Sequence, residues 1–519
     1  MFENLTLFAL AGFYLLRLRV LLLFFQQEEY DSLRFFKYIF NKNRLIDKKL
    51  SGCLILLMGA TYFFPWVKVG FFFLLAFFAW KENTFLKSAK KKVVFTRRAS
   101  CLYGVSALLA FFLGAQIEKS LPVLMTCFLI IQFLPFLMIV ANVVLFPLEQ
   151  HIRNKYIRLA KKKIREVNPV VIAVTGSYGK TSVKHILGHI LSAGAPAYWT
   201  PGSINTMMGL CRMIQTGLTA SHKYFVAEVG AYRKGSIRKV CSLLDPQFGI
   251  VTAIGHAHYE RFKTQEAIAE AKFELAPFVQ KNGGFVIVNT LQTEEKFIPT
   301  EYESSLIRFG RPQDKEDFIS DICQTKEGLS FTFHKGEESV PLFAPIFGLH
   351  HAQNIGLAVE AALRLGMPMG TIRAALKTLP QITHRLEVKP QGHRTIIDDA
   401  YNSNPTGFKA ALELLGTLKT KRGILITPGM VELGSLHESA HEEAGRLAGL
   451  YADIVLLVKA QRIPSFIKGF QKTAPSSALL LEMTSFQAAY DWLQKNEQEG
   501  DVVLMENDLP DLYESKFSL

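Results

Sequence analysis

The stretch Pro169-Val-Val-Ile-Ala-Val174, followed by Thr175-Gly-Ser-Tyr-Gly-Lys-Thr-Ser182, decides the fold of the larger part of this chain. The first six residues form an apolar run typical of a β-strand, and the next eight form a glycine-containing loop. Apolar residues then recur at the i, i+3, i+4 spacing of one helix face, at Val183, Ile186, Leu187, Ile190 and Leu191. A strand, a glycine loop and a helix in this order predict an α/β domain that binds phosphate.

The loop carries the groups that a nucleotide phosphate requires. Backbone N–H groups and the helix N-terminus face the anion, the Lys180 ammonium can reach the outer phosphates, and the Thr181 hydroxyl can ligate Mg²⁺. The pattern G-x-x-x-x-G-K-[ST] is matched imperfectly, because Val174 stands at the first glycine position. A glycine turn with an incidental lysine therefore remains the alternative at this point. The predicted ATP-binding residues of the loop are Gly176, Ser177, Gly179, Lys180, Thr181 and Ser182.

Length and composition exclude a single soluble core. The chain has 519 residues, of which 49% are hydrophobic, and its mean hydropathy is +0.18. At about 150 residues per domain, this length predicts about three domains. The hydropathy is high for a soluble enzyme, so part of the chain is expected to lie in lipid. Long-range disorder is excluded as well.

The membrane part is predicted in the first 150 residues. A span needs about 20 apolar residues, so the first and last runs are long enough, whereas the pair within 50–80 is short and predicts a re-entrant hairpin. A buried helical domain is the alternative. The apolar runs cover 5–25, 50–66, 67–80, 101–117 and 121–146.

Basic residues between these runs predict their orientation. The connections near 34–49 and 81–98 are rich in Lys and Arg, which places them on the cytoplasmic side by the positive-inside rule. A further basic segment, 151–167, follows the last run as a linker on a surface helix. Much of the net charge of +14 is thus juxtamembrane, and attraction to anionic lipid accounts for it without nucleic acid.

The six cysteines carry little information about function. They contain no C-x-x-C pair, so neither a zinc site nor a disulfide framework is predicted, and a reduced cytosolic compartment fits. They are Cys53, Cys101, Cys127, Cys211, Cys241 and Cys323.

The shortened loop T-G-S-x-G-K-T resembles that of the Mur ligase superfamily, whose members make amide bonds with ATP. The resemblance covers roughly residues 168 to 519, and its nearest branch adds D-alanyl-D-alanine to the peptidoglycan precursor. The stretch Pro201-Gly-Ser-Ile-Asn-Thr206 resembles the family's asparagine loop, which implies a substrate-binding role for Asn205. Ala227-Glu-Val-Gly-Ala231 resembles E-[LV]-G-A, which implies that Glu228 ligates Mg²⁺.

Two further motifs imply the rest of the metal region. Ile254-Gly-His-Ala-His258 resembles I-G-x-A-H, so His258 is implied to lie near a second metal ion and His256 occupies a variable position. Ala269-Glu-Ala-Lys-Phe-Glu274 resembles A-K-x-E, whose lysine is carbamylated by CO₂. Lys180, Lys272 and His258 are therefore the expected catalytic residues, and the expected metal site consists of Thr181, Glu228, His258 and carbamylated Lys272.

The remaining motifs imply contacts with the nucleotide and the substrate. Gly348-Leu-His-His-Ala-Gln-Asn354 resembles the adenine motif G-x-H-N-x-x-N, with His350 and Asn354 matching and His351 in place of an asparagine. The resemblance also implies that Arg385 and Asp399 contact ATP. The segment Asp398-Asp-Ala-Tyr-Asn-Ser-Asn-Pro405 resembles D-D-[AS]-Y-N-A-N-P, and its implied substrate-binding residues are Tyr401, Asn402 and Asn404.

Two segments and one domain depart from the family pattern. Pro428-Gly429 replaces Gly-Asp, and Glu506-Asn-Asp508 replaces the K-G-S-R turn, both where the amine-bearing substrate should bind. Membrane spans stand where the branch has a soluble domain for the UDP part of its substrate. We therefore hypothesise that the acceptor is presented at the inner membrane surface, as a lipid-linked muramoyl peptide.

The expected architecture is an α-helical transmembrane module followed by two α/β domains. The module spans 1–150 and the basic linker 151–167, a central P-loop-type ATPase domain 168–379, and a smaller Rossmann-like domain 380–519. The resemblance implies an ADP-forming ligase that uses ATP and Mg²⁺ and passes through an acyl phosphate in bacterial peptidoglycan synthesis. The apolar runs and the basic connections predict a multi-pass protein of the inner (cytoplasmic) membrane with cytoplasmic catalytic domains. The resemblance implies substrates that are a muramoyl-peptide acceptor and an amino acid or dipeptide.

Two alternatives remain open from the sequence. One is a membrane-bound relative that adds amino acids to another polymer, such as a poly-glutamate capsule or a cyanophycin-like chain. The other is a membrane scaffold or nucleotide-gated transporter that only binds or hydrolyses ATP. A screen of amine donors would separate the first, and phosphate release without any amine would support the second.

Overall fold

A computed structural model describes most of the chain. The described residues are 2–28, 30–41, 52, 56, 68–88, 92–120, 122–255, 262–312, 317–400, 403–431 and 433–507. They divide into two compact units, the first within Met1–Asn154 and the second within Lys155–Asp508.

The first unit is helical. Three of its helices have stretches that are long and apolar enough to cross a membrane, namely Leu10–Gln27, Arg97–Ile117 and Phe128–Val167. The expected hairpin within 50–80 lies mostly outside the described residues, although a helix begins at Lys68 and continues to Ser88. The helices are α1 (Phe2–Gln27), α2 (Ser32–Asn41), α3 (Lys68–Ser88), α4 (Arg97–Ile117) and α5 (Val123–Val167).

A buried ion pair joins two of these helices. The Arg17 guanidinium of α1 donates a hydrogen bond to the Glu82 carboxylate of α3, and both side chains are almost completely buried. Charged groups in an apolar helical bundle are stable only when they are paired, since an isolated charge is costly to remove from water. Arg17, which interrupts the first apolar run, therefore packs against a neighbouring helix.

Helix α5 continues through the basic segment. Its 45 residues include Pro135 and Pro147, and the segment 151–167, predicted as a linker on a surface helix, forms its last turns. Within the second unit, Ala160 and Ile164 of this helix are buried in a hydrophobic core.

The second unit begins with a parallel sheet of six strands. Their order is β2-β3-β1-β4-β5-β6, which places the first strand in the middle. The strands are β1 (Val170–Thr175), β2 (Ala197–Trp199), β3 (Tyr224–Glu228), β4 (Phe248–Val251), β5 (Val286–Asn289) and β6 (Leu306–Phe309).

Helices cover both faces of this sheet, as a parallel sheet requires. The predicted stripe of α6 is fully buried, because Val183, Ile186, Leu187, Ile190 and Leu191 all pack in one core. The helices here are α6 (Lys180–Ser192), α7 (Met207–Gly217), α8 (Ser236–Leu244), α9 (Gln265–Phe273), α10 (Ala276–Lys281), α11 (His350–Arg364) and α12 (Met369–Lys377). Short 3-10 turns lie at Glu295–Phe297 and Thr300–Ser305.

A small antiparallel sheet precedes α11. It consists of β7 (Phe318–Gln324), β8 (Leu329–Lys335) and β9 (Glu338–Ala344), in the order β7-β8-β9. Phe331 and Phe333 of the middle strand are buried in the same core as α6. The sequence analysis did not predict this sheet.

The last part of the unit is a second six-stranded sheet. Its order is β10-β11-β15-β12-β13-β14, with only β10 antiparallel to its neighbour. Its strands are β10 (Glu387–Gln391), β11 (Arg394–Asp399), β12 (Gly423–Thr427), β13 (Ile454–Val458), β14 (Leu479–Met483) and β15 (Val502–Glu506). Its helices are α13 (Pro405–Leu418), α14 (His437–Tyr451), α15 (Pro464–Thr473) and α16 (Phe486–Asn496), with 3-10 turns at Gly434–Leu436 and Ala460–Arg462. The two expected α/β sheets are thus present.

Candidate active site

A cleft of about 270 Å³ in the second unit collects most of the predicted residues that the structure describes. One wall is formed by the loop after β1 and by the end of β3, and the other by residues after β11. Ligands bind at the carboxyl ends of parallel strands, where the chain crosses over to the other side of the sheet. The position of the middle strand β1 therefore explains why its loop lies in the cleft.

Two glycines allow the loop after β1 to pass close to its neighbours. Gly176 has φ +146°, and a Cβ there would lie 2.0 Å from Thr252 Oγ1. Gly179, with φ +77°, precedes α6, and its Cβ would lie 2.5 Å from Asn354 Oδ1. Neither position accepts a side chain without displacement of a neighbour. The loop backbone is thus held close to the helix N-terminus, as anion binding requires.

The Lys180 ammonium is folded back onto this loop. Its Nζ donates hydrogen bonds to the backbone oxygens of Gly176, at 2.8 Å, and Ser177, at 3.1 Å. Burial lowers the pKa of Lys180, with nearby Glu228 opposing that shift and Arg385 adding to it. The ammonium therefore lies where the loop after β1 lines the cleft.

Glu228 accepts hydrogen bonds from several sides at the end of β3. Its Oε2 accepts from Thr181 Oγ1 at 2.9 Å, and its Oε1 accepts from Asn205 Nδ2 at 3.0 Å. The Tyr232 hydroxyl donates to Asn205 Oδ1 at 3.0 Å and so orients that amide. Strand register places Glu228 beside Val174, which explains why the carboxylate reaches the loop. The sequence motifs of Thr181, Asn205 and Glu228 are thus brought together.

Lys184 was not predicted, yet it contacts the same carboxylate. Its Nζ lies 3.3 Å from Glu228 Oε2 and also donates to the Gly202 oxygen, and both charged side chains are buried. Burial favours protonation of Glu228, but Lys184, Lys180 and the two hydrogen bonds outweigh it and lower its pKa. Glu228 is therefore ionised, and its oxygens suit a hard cation such as Mg²⁺. The sequence could have indicated Lys184 through its position one helical turn after Lys180.

Lys272 is buried in α9, 2% exposed. Burial, with a smaller contribution from Lys180, lowers its pKa well below the usual range, while Glu228 opposes the shift. An amine in this environment favours its uncharged form. Lys272 is not an exposed helical lysine, which bare sequence would have favoured.

The N-terminal turns of α11 offer uncharged polar groups to the cleft. Burial lowers the pKa of His350 to about 4 and that of His351 well below its usual value, so both rings are neutral. His350 Nδ1 and Gln353 Oε1 are buried and have no hydrogen-bond partner among the described residues. Asn354 Nδ2 lies 3.3 Å from His351 Nδ1. Buried orphan polar atoms of this kind fit a heterocyclic base better than an anion.

The other wall begins at the connection between the two large sheets. Arg385 lines the cleft between His384 and Leu386, whose φ angles are +58° and +51°. The Leu386 N–H donates to Asp399 Oδ1 at 3.3 Å, which ties this connection to the end of β11. Arg385 and Asp399 therefore face the cleft from one side.

Residues after β11 complete this wall. Asn404 lines the cleft and also caps α13, because its Oδ1 accepts from the Gly407 N–H at 3.0 Å. Ser403 Oγ donates to Glu506 Oε1 at 2.5 Å. Glu506, expected in an acidic substrate-binding turn, is instead the fully buried last residue of β15. Ser403 and Glu506 are functional candidates that only the fold could bring together.

Three predicted site residues, His258, Tyr401 and Asn402, lie outside the described residues, as does His256. Thr206, which ends the predicted asparagine loop, caps α7, because its Oγ1 accepts from the Gly209 N–H at 3.3 Å.

Comparison with known proteins identifies both α/β parts. The Mur ligase middle domain matches residues 174–362, and the Mur ligase glutamate ligase domain matches residues 384–506, together more than half of the chain. The chain is 31% identical over 290 residues to the UDP-N-acetylmuramoyl-tripeptide–D-alanyl-D-alanine ligase of Bacillus subtilis, and 30% identical over 287 residues to that of Escherichia coli. These alignments cover 56% and 55% of this chain and 62% and 63% of the relatives. The chain thus spans less than two thirds of either relative.

Solved structures of Mur ligases also superpose on this chain. A crystal structure of MurF from Acinetobacter baumannii superposes with a TM-score of 0.60 at 27% identity, covering 70% of this chain and 78% of that one. MurF from Thermotoga maritima in complex with ADP superposes with a TM-score of 0.58 at 23% identity, covering 70% and 81%. The latter comparison supports the fold alone.

Proposed function

The chain belongs to the Mur ligase family, and from this premise we propose that it is an ATP-dependent, ADP-forming ligase that joins D-alanyl-D-alanine to a muramoyl-peptide precursor. The observation that carries the proposal is the shared cleft, in which Lys180, Thr181 and Glu228 face Arg385 and Asp399. A simple NTPase would need only the wall that carries Lys180, Thr181 and Glu228. The same cleft makes a purely structural scaffold the weaker alternative.

The nucleotide is proposed to lie along this cleft. The loop Gly176–Gly179, with Ser177, Lys180 and Ser182, holds its phosphates, since N–H groups at a helix N-terminus bind anions. The neutral His350 ring, Gln353 and Asn354 receive the base. Arg385 and Asp399 contact the nucleotide from the other wall.

Mg²⁺ is proposed to bind between Thr181 and Glu228, whose oxygens are the ligands that this ion prefers. The bound ion would neutralise charge on the phosphate oxygens and polarise them. Lys184 and Asn205 hold the Glu228 carboxylate in place. His258 and Lys272 are proposed for a second metal position.

Lys272 is proposed to act as a carbamate. CO₂ reacts with an uncharged amine, and burial beside Lys180 lowers the pKa of Lys272 and so favours its uncharged form. The resulting anion would offer oxygen donors to a metal ion. Intact-protein mass spectrometry with and without bicarbonate, on the full chain and on Lys272→Met, tests this assignment.

The reaction is proposed to begin with transfer of the ATP γ-phosphate to a substrate carboxylate, which gives an acyl phosphate. The incoming amine then attacks, and the tetrahedral intermediate collapses to an amide and phosphate. The chain supplies positioning and electrostatic stabilisation, chiefly through Lys180. Asn205, Tyr401, Asn402 and Asn404 are proposed to contact the substrates.

Membrane attachment is part of the proposal. Three helices have the length and composition of membrane spans, and the basic residues near them favour a multi-pass protein of the inner membrane with its catalytic domains in the cytoplasm. Basic residues of α5 are proposed to contact anionic lipid. Because membrane helices precede the family domains, we propose a lipid-linked muramoyl peptide as acceptor. Solubilised protein that used soluble acceptors normally and ignored lipid-linked ones would contradict this.

A coupling assay tests the function directly. Purified full-length protein is given ATP, Mg²⁺, bicarbonate, UDP-muramoyl tripeptide and D-alanyl-D-alanine, and the product mass is measured. A lipid-linked muramoyl tripeptide is supplied in a parallel reaction, and a gain of one dipeptide is the expected result. Product formed with the lipid-linked acceptor would support the proposed acceptor, whereas product formed only with another amino acid would favour a poly-glutamate or cyanophycin-like synthetase. Phosphate release with no product under any condition would contradict ligase activity.

A further inference from the structure

The loop after β12 lines the cleft on the side of the second sheet. Its described residues are 428–431 and 433, called the β12 loop from here on, and Val431 and Leu433 line the cleft. Strand β12 lies next to β15, and β15 lies next to β11, so the carboxyl ends of these three parallel strands are side by side. The β12 loop is thus one strand away from the Asp399 end of β11.

Side chains from distant parts of the chain bind the backbone oxygens of this loop. The Arg462 guanidinium, from the 3-10 turn before α15, donates to the Pro428 oxygen at 3.1 Å and to the Met430 oxygen at 3.4 Å. Asn507, directly after β15, donates through Nδ2 to the Gly429 oxygen at 2.6 Å. Three consecutive carbonyl groups of the β12 loop are therefore held by two side chains.

A buried histidine of α14 binds the same loop. Burial lowers the pKa of His441 to about 4, so its ring is neutral. Its Nδ1 lies 2.7 Å from the His437 backbone oxygen, which can only accept, so Nδ1 carries the proton and Nε2 accepts from the Met430 N–H at 2.9 Å. Gly429, with φ +76°, leaves room for the ring, because a Cβ there would lie 2.7 Å from His441 Nε2.

The shape of the β12 loop is thus set by the protein itself. Its polar backbone groups have partners from α14, from the turn before α15 and from the residue after β15. The hydrogen bond of Asn507 also joins the two segments that depart from the family pattern, Pro428-Gly429 and Glu506-Asn-Asp508. A loop that is ordered before its ligand arrives loses little conformational entropy when the ligand binds.

We propose that Arg462, His441 and Asn507 are positioning residues that preform the β12 loop as the part of the cleft that receives the amine-bearing substrate. The inference rests on the proposed ligase function and gives a role to Val431 and Leu433, which that function does not use. The three positioning residues act through the loop backbone.

The proposed places of the other two substrates leave this loop to the amine. The nucleotide is proposed to contact the loop after β1, the start of α11, and Arg385 and Asp399. The carboxylate of the acceptor must meet the γ-phosphate at the wall of Lys180 and Glu228. The amine that attacks the acyl phosphate is therefore expected beyond Asp399, where the β12 loop lines the cleft.

The test compares the KM values of the full-length protein in detergent for D-alanyl-D-alanine, the acceptor and ATP. Asn507→Gly removes the donor without straining the backbone, because Asn507 has φ +66°. Arg462→Lys keeps the charge but loses the planar fork that spans two oxygens. Each variant should raise the KM for D-alanyl-D-alanine by about tenfold and change the KM for ATP by less than about twofold. A purely structural loss would instead lower kcat through the folded fraction and leave all three KM values unchanged.

Arg422→Lys is the matched control. Arg422 precedes β12 at the amino end of the same strand, where it donates to Asp501 Oδ1 at 2.9 Å and to the Asn496 oxygen at 3.0 Å. This variant should keep all three KM values. The double variant Asn507→Gly/Arg462→Lys should raise the KM for the amine by less than the product of the two single effects, because both act through one loop.

Three kinetic results would overturn the inference. These are an unchanged KM for the amine in both variants, an equal rise in the KM for ATP, and a rise confined to the acceptor. If Arg462→Lys does not fold, Asn507→Gly decides alone.

Amide hydrogen exchange tests the preformed loop without any reaction. In the wild type without substrates, the peptide that contains Met430 should exchange slowly, and in Asn507→Gly it should exchange about tenfold faster. Fast exchange in the wild type that slows only when the amine is added would overturn the inference. A wild type that protects this loop but makes no amide with any donor would reject the proposed ligase, and with it the amine as the ligand here. Product formation with identical exchange and KM values in all variants would reject only the role of the three positioning residues.

Discussion

Lys180 is the residue on which the proposed nucleotide chemistry depends most. Its ammonium donates to the loop oxygens and is proposed to turn toward a bound phosphate. We expect Lys180→Ala to lower amide synthesis by at least about a hundredfold, because a fixed positive charge at the reacting phosphate is lost. The measurement is ATP-dependent product formation. Lys234→Ala, at an exposed lysine paired with Glu270, should be unaffected. Near-normal synthesis by Lys180→Ala would refute the phosphate-loop assignment.

Lys184 has a different role, because its ammonium forms a buried ion pair with Glu228. Lys184→Met leaves a buried carboxylate with one cation fewer, and we expect it to lower the free energy of unfolding by about 3 kcal/mol. Denaturant titration without Mg²⁺ measures this loss.

Two control variants test whether Lys184→Met loses stability because a charge is left unpaired or because side-chain packing is lost. The double variant Lys184→Met/Glu228→Gln should recover part of the stability, because neither charge remains unpaired. Lys163→Met removes a lysine that donates to the Gln215 backbone oxygen and has no carboxylate partner among the described residues, and it should lose much less. Equal stability of Lys184→Met and wild type would show that the pair contributes nothing.

At the scale of elements, Asn404 combines a helix cap with a proposed substrate contact. As the N-cap of α13, its replacement by Ala should lower the free energy of unfolding by about 1 kcal/mol. Asn404→Asp keeps the acceptor oxygen and should keep the stability. Thermal melts of both variants beside their amide synthesis separate the two roles. If Asn404→Asp melts at the wild-type temperature but makes less amide, a substrate contact is supported. If Asn404→Ala melts at the wild-type temperature, the role of Asn404 as a helix cap is contradicted.

Elements with a strong local pattern were predictable from sequence. The strands Gly423–Thr427 and Ile454–Val458 are examples, since each is a continuous apolar run of β type that the sheet buries. The antiparallel sheet β7–β9 was missed, because its first strand is largely exposed and shows no such run. The helical continuation past Pro147 was also missed. A proline does not end a helix whose remaining residues keep it folded.

The residues of the candidate site were also predictable only in part. Gly179, Lys180 and Glu228 belong to short motifs at strand ends, which sequence reveals directly. The contact of Lys184 with Glu228 joins residues 44 positions apart, and that of Ser403 with Glu506 joins residues 103 apart. Only the order of strands in each sheet creates such neighbours, and no local pattern encodes it.

At the scale of the whole molecule, the proposed membrane orientation makes a prediction about sidedness. If the catalytic domains are cytoplasmic, ATP added outside should support amide synthesis in inside-out vesicles and not in right-side-out vesicles. The full chain should also stay in the membrane pellet after alkaline carbonate extraction. Equal activity in intact vesicles of both orientations would contradict the topology, and release by carbonate would contradict spanning helices.

The folded-back Lys180 side chain also bears on which anions the protein ignores. Its ammonium donates to two carbonyl oxygens of the loop, so any incoming ligand competes with these hydrogen bonds. A small anion such as inorganic phosphate would have to displace both hydrogen bonds with few contacts in return. A nucleotide can offset that exchange through its base and ribose as well. Small anions of the cell should therefore compete poorly with ATP for this loop.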